Sequence, residues 1–533
     1  MMINIIFNRK IIVSIIFGCF YSIVYVIGKS IYKTNGLISI YSSGVNILKN
    51  LVLFVVVLLL AAFVFWLIIS FIDKHKLNYK ETKMSNKKLF LIIFILILSV
   101  YSTALLSLYP GVFSYDMMHI NRQALGIFSY DRFQPPIFTY IWHLCILIGK
   151  TINLQASTVY AIFQLLLVSF VFDLYILYIK KKDFKVFLIS LIFIIFNPVF
   201  ALFSIIPVKD VPFSLFFGMS IILFYESMNN NNKRAYVFLG ITMVLSSLFR
   251  NNAIYAYLVF LIILLLFYMN KKLIAITFIS IVLFLVIDGP LYNAFNVADG
   301  MEREKLSVPI EQISLVVNRN KDDIDDDMKT DISKFFYDYD SIAELYNPRF
   351  ADYTKELFYS DYYKEHKDEF FSMYLNVFKK YPNEFIVSFL DLNVPMWYQN
   401  AKSVDPFAER DYIEINIFEN LFNRDSKLPT MRKYYENVAS FEAFENIPAI
   451  INIFSISFPF WMIILAIFVC IYKDNYSNLF PIILLLLLWS TYLLGPVSNC
   501  RYVLPFMILY PFLMVLMLND NANDIIVNDE KDI

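Results

Sequence analysis

Three isolated cations stand where long apolar segments of the chain end. Lys209 is followed by Asp210, Arg250 by two asparagines, and Arg501 by Tyr502. A charge at the edge of an apolar segment is costly and usually faces a cavity or a partner. If the three cations converge, they form a site for an anion such as phosphate, which arginine matches in a bidentate way. The alternative for each cation is snorkelling or local pairing, as between Lys209 and Asp210.

Asp116 supplies the opposite charge, soon after another apolar segment ends. A carboxylate beside a basic cluster is suited to act as a general base toward a hydroxyl. Asp116 is also placed to cap the helix that follows it, and the two roles are compatible. Helical spacing puts His119 on the same face, where it would orient an acceptor or help to hold a metal. Asp131 is a weaker second acid, because its neighbour Arg132 favours a surface role.

The elements that must position these side chains are membrane helices. Of the 533 residues, 59% are hydrophobic and 17% charged, whereas soluble domains have about 25% charged residues. This composition excludes a soluble enzyme, a disordered chain and a fibrous repeat. The net charge is zero, so the sequence lacks the excess of basic residues that is typical of nucleic-acid-binding proteins. We therefore predict an all-α polytopic membrane protein, located in the cell membrane with the lipid bilayer as a partner.

Crossing a bilayer takes about 20 apolar residues, and we predict twelve spans. They are residues 11–28, 50–72, 88–108, 157–179, 184–203, 212–228, 235–249, 253–269, 273–290, 449–472, 478–495 and 501–518. With alternating spans, the lysine-rich turns 73–88 and 180–185 fall on one side. The positive-inside rule makes that side cytoplasmic, together with both chain ends. Residues 134–150 are also apolar, but a crossing there would put turn 180–185 outside. We therefore interpret 109–156 as one outer loop that carries interfacial helices.

Five regions follow from this topology. They are 1–87 with two spans and a basic cytoplasmic loop, 88–290 with the membrane core and the outer loop 109–156, 291–447 without a span, 448–518 with the last spans, and a cytoplasmic tail 519–533. The third region holds 30 acidic and 18 basic residues. It is long enough for a domain, which we expect to be mostly helical and extracytoplasmic.

Other features give weaker signals. Trp397 suits a stacking platform for a sugar ring, although aromatic residues near a membrane are more often anchors or core. The four cysteines do not form a disulfide framework, and pairing of Cys145 with Cys500 is left open. No Gly-rich phosphate loop or Cys/His zinc spacing is present. No cofactor is predicted with certainty, and a divalent cation is left open.

The order of these motifs resembles the GT-C superfamily of membrane glycosyltransferases, in particular a poorly characterised bacterial branch. The motifs are Tyr109-Pro110-Gly111 followed by Asp116, Lys209-Asp210, Arg250-Asn251, and Arg501-Tyr502-Val503-Leu504-Pro505. The resemblance covers about residues 88–518, so the first two spans would be an N-terminal addition. Many members have two adjacent acids in the first outer loop. Here Asp116 lies between Tyr115 and Met117, so a metal site built on an acidic pair is not expected.

The resemblance implies transfer of a sugar from a polyprenyl-phosphate donor to an acceptor hydroxyl outside the membrane, with inversion. The acceptor would be a cell-envelope glycan. Asp116 would be the base, and Lys209, Arg250 and Arg501 would bind the lipid phosphate. The predicted substrate-binding residues are Lys209, Asp210, Arg250, Arg501, His119 and Trp397.

Elementary chemistry agrees with this expectation. A phosphate leaving group needs cations that stabilise its growing charge, so one carboxylate and several cations suffice. A glycoside hydrolase would need two carboxylates that flank one bond. Two other functions stay open. A polysaccharide polymerase would also have about twelve spans and outer arginines, but would use a lipid-diphosphate oligosaccharide. A transporter or flippase for lipid-linked glycans typically shows repeats and midplane charges, and we see no repeat.

Overall fold

The computed structural model of the protein describes residues 2–75, 77, 84–404, 411–415 and 425–519. Parts of the predicted basic loop 73–88 and nearly all of the tail 519–533 lie outside the described residues. The described part is helical, with three isolated β-bridges and no strand. The predicted all-α class is therefore confirmed.

The described residues of the first half of the chain form fourteen α-helices. They are α1 (Met2–Thr34), α2 (Ile38–Tyr41), α3 (Gly44–Lys74), α4 (Asn86–Ser107), α5 (Met117–Ala124), α6 (Pro136–Ile152), α7 (Ala156–Lys180), α8 (Phe184–Ile195), α9 (Pro198–Phe203), α10 (Asp210–Asn229), α11 (Lys233–Phe249), α12 (Asn252–Ile263), α13 (Lys271–Val286) and α14 (Tyr292–Ala294). Single π-helical turns, Leu264–Tyr268 and Ile287–Leu291, continue α12 and α13. Apolar side chains on α3 such as Leu59 and Phe63 are more than half exposed, as expected for a helix that faces lipid.

Seven helical stretches in the described part are long and apolar enough to cross a membrane. They are Arg9–Thr34, Gly44–Lys74, Asn86–Ser107, Ala156–Lys180, Asp210–Asn229, Lys271–Ala294 and Cys500–Leu518. The chain is therefore a multi-pass membrane protein. The other five predicted spans form shorter or interrupted helices. Pro198, for example, separates α8 from α9, because proline lacks the N–H group that a continuous helix needs.

The region 291–447 is mostly helical, as predicted. It contains α15 (Ser307–Asn320), α16 (Asp326–Ser333), α17 (Tyr339–Leu345), α18 (Asp352–Glu356), α19 (Ser360–Glu365), α20 (Lys367–Lys380), α21 (Pro382–Asn393), α22 (Pro429–Ala439) and α23 (Glu442–Glu445), with 3-10 turns at Glu302–Leu306 and Val394–Met396. Its helices α15 to α21 enclose a hydrophobic core of their own. Residues after α21, including Tyr412 and Tyr435, belong to the main core of the protein. This region is therefore anchored on the apolar helices.

The last part of the chain completes the main core. Its helices are α24 (Pro448–Ile453), α25 (Phe458–Tyr472), α26 (Leu479–Tyr492), α27 (Cys500–Met507) and α28 (Tyr510–Leu518), with a 3-10 turn at Tyr476–Asn478. Helix α27 packs against α10, and α28 packs against α25. The C-terminal helices thus lie among the central helices, where they bring Arg501 beside residues from the first half of the chain.

Helix α1 is bound to the region 291–447 as well as to α3. The hydroxyl of Tyr32 accepts a hydrogen bond from the backbone N–H of Lys402 (3.2 Å). The carbonyl of Tyr32 accepts one from Arg349 (3.4 Å), whose guanidinium lies 4.8 Å from the Tyr32 ring centre. Tyr398 and Trp397 pack directly on Gly28. The first helix therefore packs directly against the region 291–447.

Backbone hydrogen bonds from the region 291–447 hold the two loops that lead to the site. The N–H of Ala351 donates to the carbonyl of Pro496 (2.9 Å), a few residues before Arg501. The N–H of Asp425 donates to the carbonyl of Tyr109 (3.1 Å), a few residues before Asp116. The region 291–447 therefore positions both loops relative to each other.

We expect Gly28→Ala to destabilise the contact between α1 and the region 291–447. A Cβ at Gly28 would lie 2.5 Å from Tyr398 Cδ2 and 2.9 Å from Trp397 Cζ3, and overpacking of this kind costs about 1–3 kcal/mol. The apparent Tm of the purified protein in detergent should fall. Gly44→Ala is the matched control, because its Cβ meets nothing within 4 Å and alanine favours helices. Equal Tm values for the two variants would contradict this packing.

Candidate functional site

The centre of the site is an ion pair between the first and last parts of the chain. Nη1 of Arg501, in the first turn of α27, donates to Oδ2 of Asp116 (2.9 Å), and both side chains are 15% exposed. Asp116 directly precedes α5 but makes no side-chain capping hydrogen bond. The capping alternative is therefore wrong, because Arg501 engages the carboxylate instead.

Lys209 lies on the connection between α9 and α10. Its Nζ donates to Oε1 of Gln134 (2.7 Å), a residue that sequence reasoning did not identify. The hydroxyl of Ser114 donates to the carbonyl of Pro207 (2.8 Å) and ties the Asp116 loop to the Lys209 loop. The predicted local pairing of Lys209 with Asp210 is wrong, because the buried Asp210 forms its ion pair with another residue.

That residue is Arg250, at the connection between α11 and α12. The Asp210 side chain is fully buried, so it cannot touch a substrate, and its assignment as a substrate-binding residue is corrected to a counter-ion of Arg250. The Arg250 guanidinium also lies 4.9 and 4.5 Å from the ring centres of Tyr492 and Tyr502. These two rings stack on each other, and together they fix the arginine by cation–π contact.

The charges of the cluster act on one another. Burial raises the pKa of Asp116, but the charges of Arg501, Lys209 and Arg250 outweigh it and lower this pKa to about 2. Burial lowers the pKa of Lys209 to about 8, and Arg250 and Arg501 act in the same direction against the opposing charge of Asp116. Asp116 is thus an anion at physiological pH and a weak base while Arg501 holds it.

The three cations of the cluster differ in their partners. Arg501 pairs with Asp116 and Arg250 with Asp210, whereas Lys209 is hydrogen-bonded to the neutral Gln134. Among these three cations, Lys209 is therefore the one whose hydrogen-bond partner carries no charge. An anion beside Lys209 would compensate its ammonium group.

A cavity of about 180 Å³ opens beside Lys209 and Arg250. Its polar wall also includes Asn251, on the same connection as Arg250, and Asp288, in the π-helical turn after α13. Its apolar wall is formed by Phe133, Pro135, Pro136, Leu248, Phe249, Phe284 and Tyr292. Sequence reasoning missed Asp288, although an aspartate inside a predicted span is a usable signal.

The remaining predicted residues lie differently from expectation. His119 turns to Asp131, with Nε2 3.1 Å from Oδ2, and its ring meets Phe133 edge-on. Its predicted action together with Asp116 is therefore not seen. Trp397 is buried, packs on Gly28 and accepts a hydrogen bond from the indole of another tryptophan at its carbonyl. This is the position of a core residue, so the prediction of a sugar platform at Trp397 is corrected.

Metal and disulfide chemistry find no site in the described part of the chain. No group of three or more His, Cys, Asp or Glu residues is arranged there to hold a metal ion. Cys145 and Cys500 are both buried and both free thiols. The two thiols are therefore not paired with each other in the structure.

Comparison with known proteins gives one family. Residues 150–531 match the model of DUF6020, a family of unknown function. The match covers well over half of the chain, so the chain belongs to this family. The matched residues include Lys209, Arg250 and Arg501, whereas Asp116 and His119 precede them. No curated protein and no solved structure matches the chain.

We expect the affinity of the site for an anion to fall above about pH 8. Burial lowers the pKa of Lys209 to about 8, so at higher pH its side chain is largely the neutral amine. Binding of an anion that needs the ammonium form then requires the uptake of a proton. The affinity should fall by up to about tenfold per pH unit. Titration of the purified protein with a dialkyl phosphate, whose own charge is constant from pH 7 to 10, measures this. Lys209→Arg keeps its charge and should bind equally over the range; a pH-independent wild type would contradict the assignment of Lys209.

Proposed function

We propose that this member of the DUF6020 family is an integral membrane glycosyltransferase of the GT-C type. It would move a sugar from a polyprenyl-phosphate donor to an acceptor hydroxyl of a cell-envelope glycan on the outer face of the membrane. The observation that supports the proposal is that Lys209, whose hydrogen-bond partner is neutral, lines a cavity with an apolar wall together with Arg250.

A lipid phosphate suits this cavity better than a soluble anion. Its charge compensates Lys209, and Arg250 offers a planar fork of donors beside it. Phe284 in the wall belongs to the stretch Lys271–Ala294, one of the candidate membrane spans. On the same helix, Leu283 and Leu285 are about half exposed. A polyprenyl chain would therefore have an apolar helix surface directly beside the phosphate.

In this proposal, donor binding also prepares Asp116. While Arg501 holds the carboxylate, its pKa of about 2 makes it a weak base. A phosphate that shares Arg501 and Lys209 would reduce the field on Asp116 and raise its basicity. The acceptor O–H proton then moves to Asp116 as the acceptor oxygen bonds to the sugar C1. The phosphate leaves with the electron pair of the broken C1–O bond, and the cations stabilise its charge.

The size of the cavity bears on the alternative of a polysaccharide polymerase. Pockets for drug-sized ligands have volumes of about 300–1,000 Å³, and the cavity here has about 180 Å³. This favours a single sugar over the oligosaccharide that a polymerase would bind. The charges of the cluster around Asp116 lie at the ends of helices and not at their midpoints, which disfavours the transporter or flippase alternative.

The proposed topology has twelve spans with both chain ends in the cytoplasm. The lysine-rich turns would then be cytoplasmic, and the region 291–447 would be extracytoplasmic. Helix α6 would lie at the outer interface, because Leu144 and Ile148 on one side are about half exposed, whereas Trp142 and Cys145 on the other are buried.

We expect Asp116→Asn to lower sugar transfer by about 10²–10⁴-fold, since this is the usual contribution of a general base. Arg250→Ala should chiefly raise the KM for the donor. The control is Asp361→Asn, an exposed residue of α19. The measurement is mass spectrometry of cell-envelope glycans from a deletion strain complemented with each variant. Full activity of both site variants would refute the assignment of the site. Shortened polymers with accumulated lipid-linked repeats would indicate a polymerase. An unchanged glycan in the deletion strain would indicate a transporter.

Topology has a separate test. We expect Asp322→Cys, in the region 291–447, to react with a membrane-impermeant maleimide in intact cells. Lys181→Cys, in the lysine-rich turn, should react only after permeabilisation. Both positions are exposed, and Cys145, Cys470 and Cys500 are buried, so the wild type gives the background. Labelling in the reverse pattern would overturn the proposed orientation.

A further inference from the structure

Asp288 is an acid in the cavity that the mechanism above does not use. It lies in the π-helical turn Ile287–Leu291, next to Gly289 and Pro290, and lines the same cavity as Lys209. Among the described residues it forms no hydrogen bond and no ion pair. Single π-helical turns occur frequently at functional sites, and a partly buried carboxylate without a partner is costly. Asp288 is therefore available to a ligand in the cavity.

Asn251 is a second free polar side chain in the same cavity. It follows Arg250 and precedes α12, and its side chain makes no capping or other hydrogen bond to a described residue. Its neighbour Asn252 differs, because it accepts a hydrogen bond from Arg250 Nε (3.2 Å) and donates one to Thr491 (2.9 Å). Asn252 thus serves the protein framework, whereas Asn251 has both donor and acceptor left for a ligand.

We infer that Asp288 and Asn251 bind the hydroxyl groups of the donor sugar, and that this sugar is uncharged. The inference rests on the proposed function and adds the class of sugar. Lys209 and Arg250 mark the phosphate end of the cavity. A carboxylate accepts hydrogen bonds from sugar hydroxyls, and charge makes these bonds strong. The aromatic rings of Phe249 and Tyr292 in the wall suit the apolar faces of a sugar ring.

The negative charge of Asp288 determines which class of sugar the cavity can bind. A uronic acid would bring its own carboxylate next to Asp288, and like charges in a partly buried site repel. The charge of Arg132, the other cation in the wall, is already balanced by its ion pair with Asp299, so Arg132 does not neutralise a second carboxylate. A neutral hexose or acetamido sugar meets no such penalty.

The test measures binding to the purified full-length protein by native mass spectrometry. The probes are polyprenyl phosphate without a sugar, the glucosyl, galactosyl, mannosyl and N-acetylglucosaminyl polyprenyl phosphates, and glucuronosyl polyprenyl phosphate. We expect the wild type to bind at least one neutral glycosyl lipid about tenfold more tightly than the sugar-free lipid, and the glucuronosyl lipid more weakly.

Asp288→Ala should remove the preference for the neutral sugar without changing the affinity for the sugar-free lipid. Asp288→Asn, which keeps the shape but not the charge, should bind the glucuronosyl lipid more tightly than the wild type does. Lys209→Ala should weaken all probes together, and Asp361→Asn should change none.

The outcomes separate the two proposals. If the wild type binds none of the lipid phosphates, the proposed function fails. If it binds them but Asp288→Ala and Asp288→Asn leave every ratio between probes unchanged, the assignment of Asp288 fails and the proposed function stands. A wild type that prefers the glucuronosyl lipid would overturn the inference of an uncharged sugar.

Discussion

A buried charge among apolar helices is costly unless another charge compensates it. Asp210 compensates Arg250 and Asp116 compensates Arg501, and the surrounding structure serves to keep these partners in place. The stacked rings of Tyr492 and Tyr502 hold Arg250 from the side. Lys209 is left with a neutral amide as its hydrogen-bond partner. This difference is the basis for proposing an anion site beside Lys209.

The residue types and the class of fold could be read from the sequence, because they depend on local composition. The length of the apolar segments predicts membrane helices. A cation at the end of such a segment indicates that a partner or a cavity compensates its charge. Asp116, Lys209, Arg250 and Arg501 were identified on this basis. Their roles in transfer stay predictions. The ion pairs could not be predicted from the sequence, because Asp210 is adjacent to Lys209 in sequence but pairs with Arg250 in the structure.

The remaining errors have physical causes. His119 follows helical spacing from Asp116, but Asp131, 12 residues further along the chain, binds its ring. Trp397 has the composition of a membrane anchor, yet the absent side chain of Gly28 makes room for it in the core. Both placements depend on contacts that spacing along one helix does not show. Asp288 was missed for another reason, because a single acid in an apolar segment does not change the prediction of a span.

The distance in sequence between Asp116 and Arg501 has a consequence for how the protein is made. The two residues are 385 positions apart. Ribosomes add about 5–20 residues per second, so roughly 20–80 s separate the synthesis of the carboxylate from that of its arginine. Of the three cations of the cluster, Lys209 is the first to be synthesised after Asp116. The cluster can therefore reach its final electrostatic balance only after α27 has been inserted, which makes the last helices the step that completes assembly.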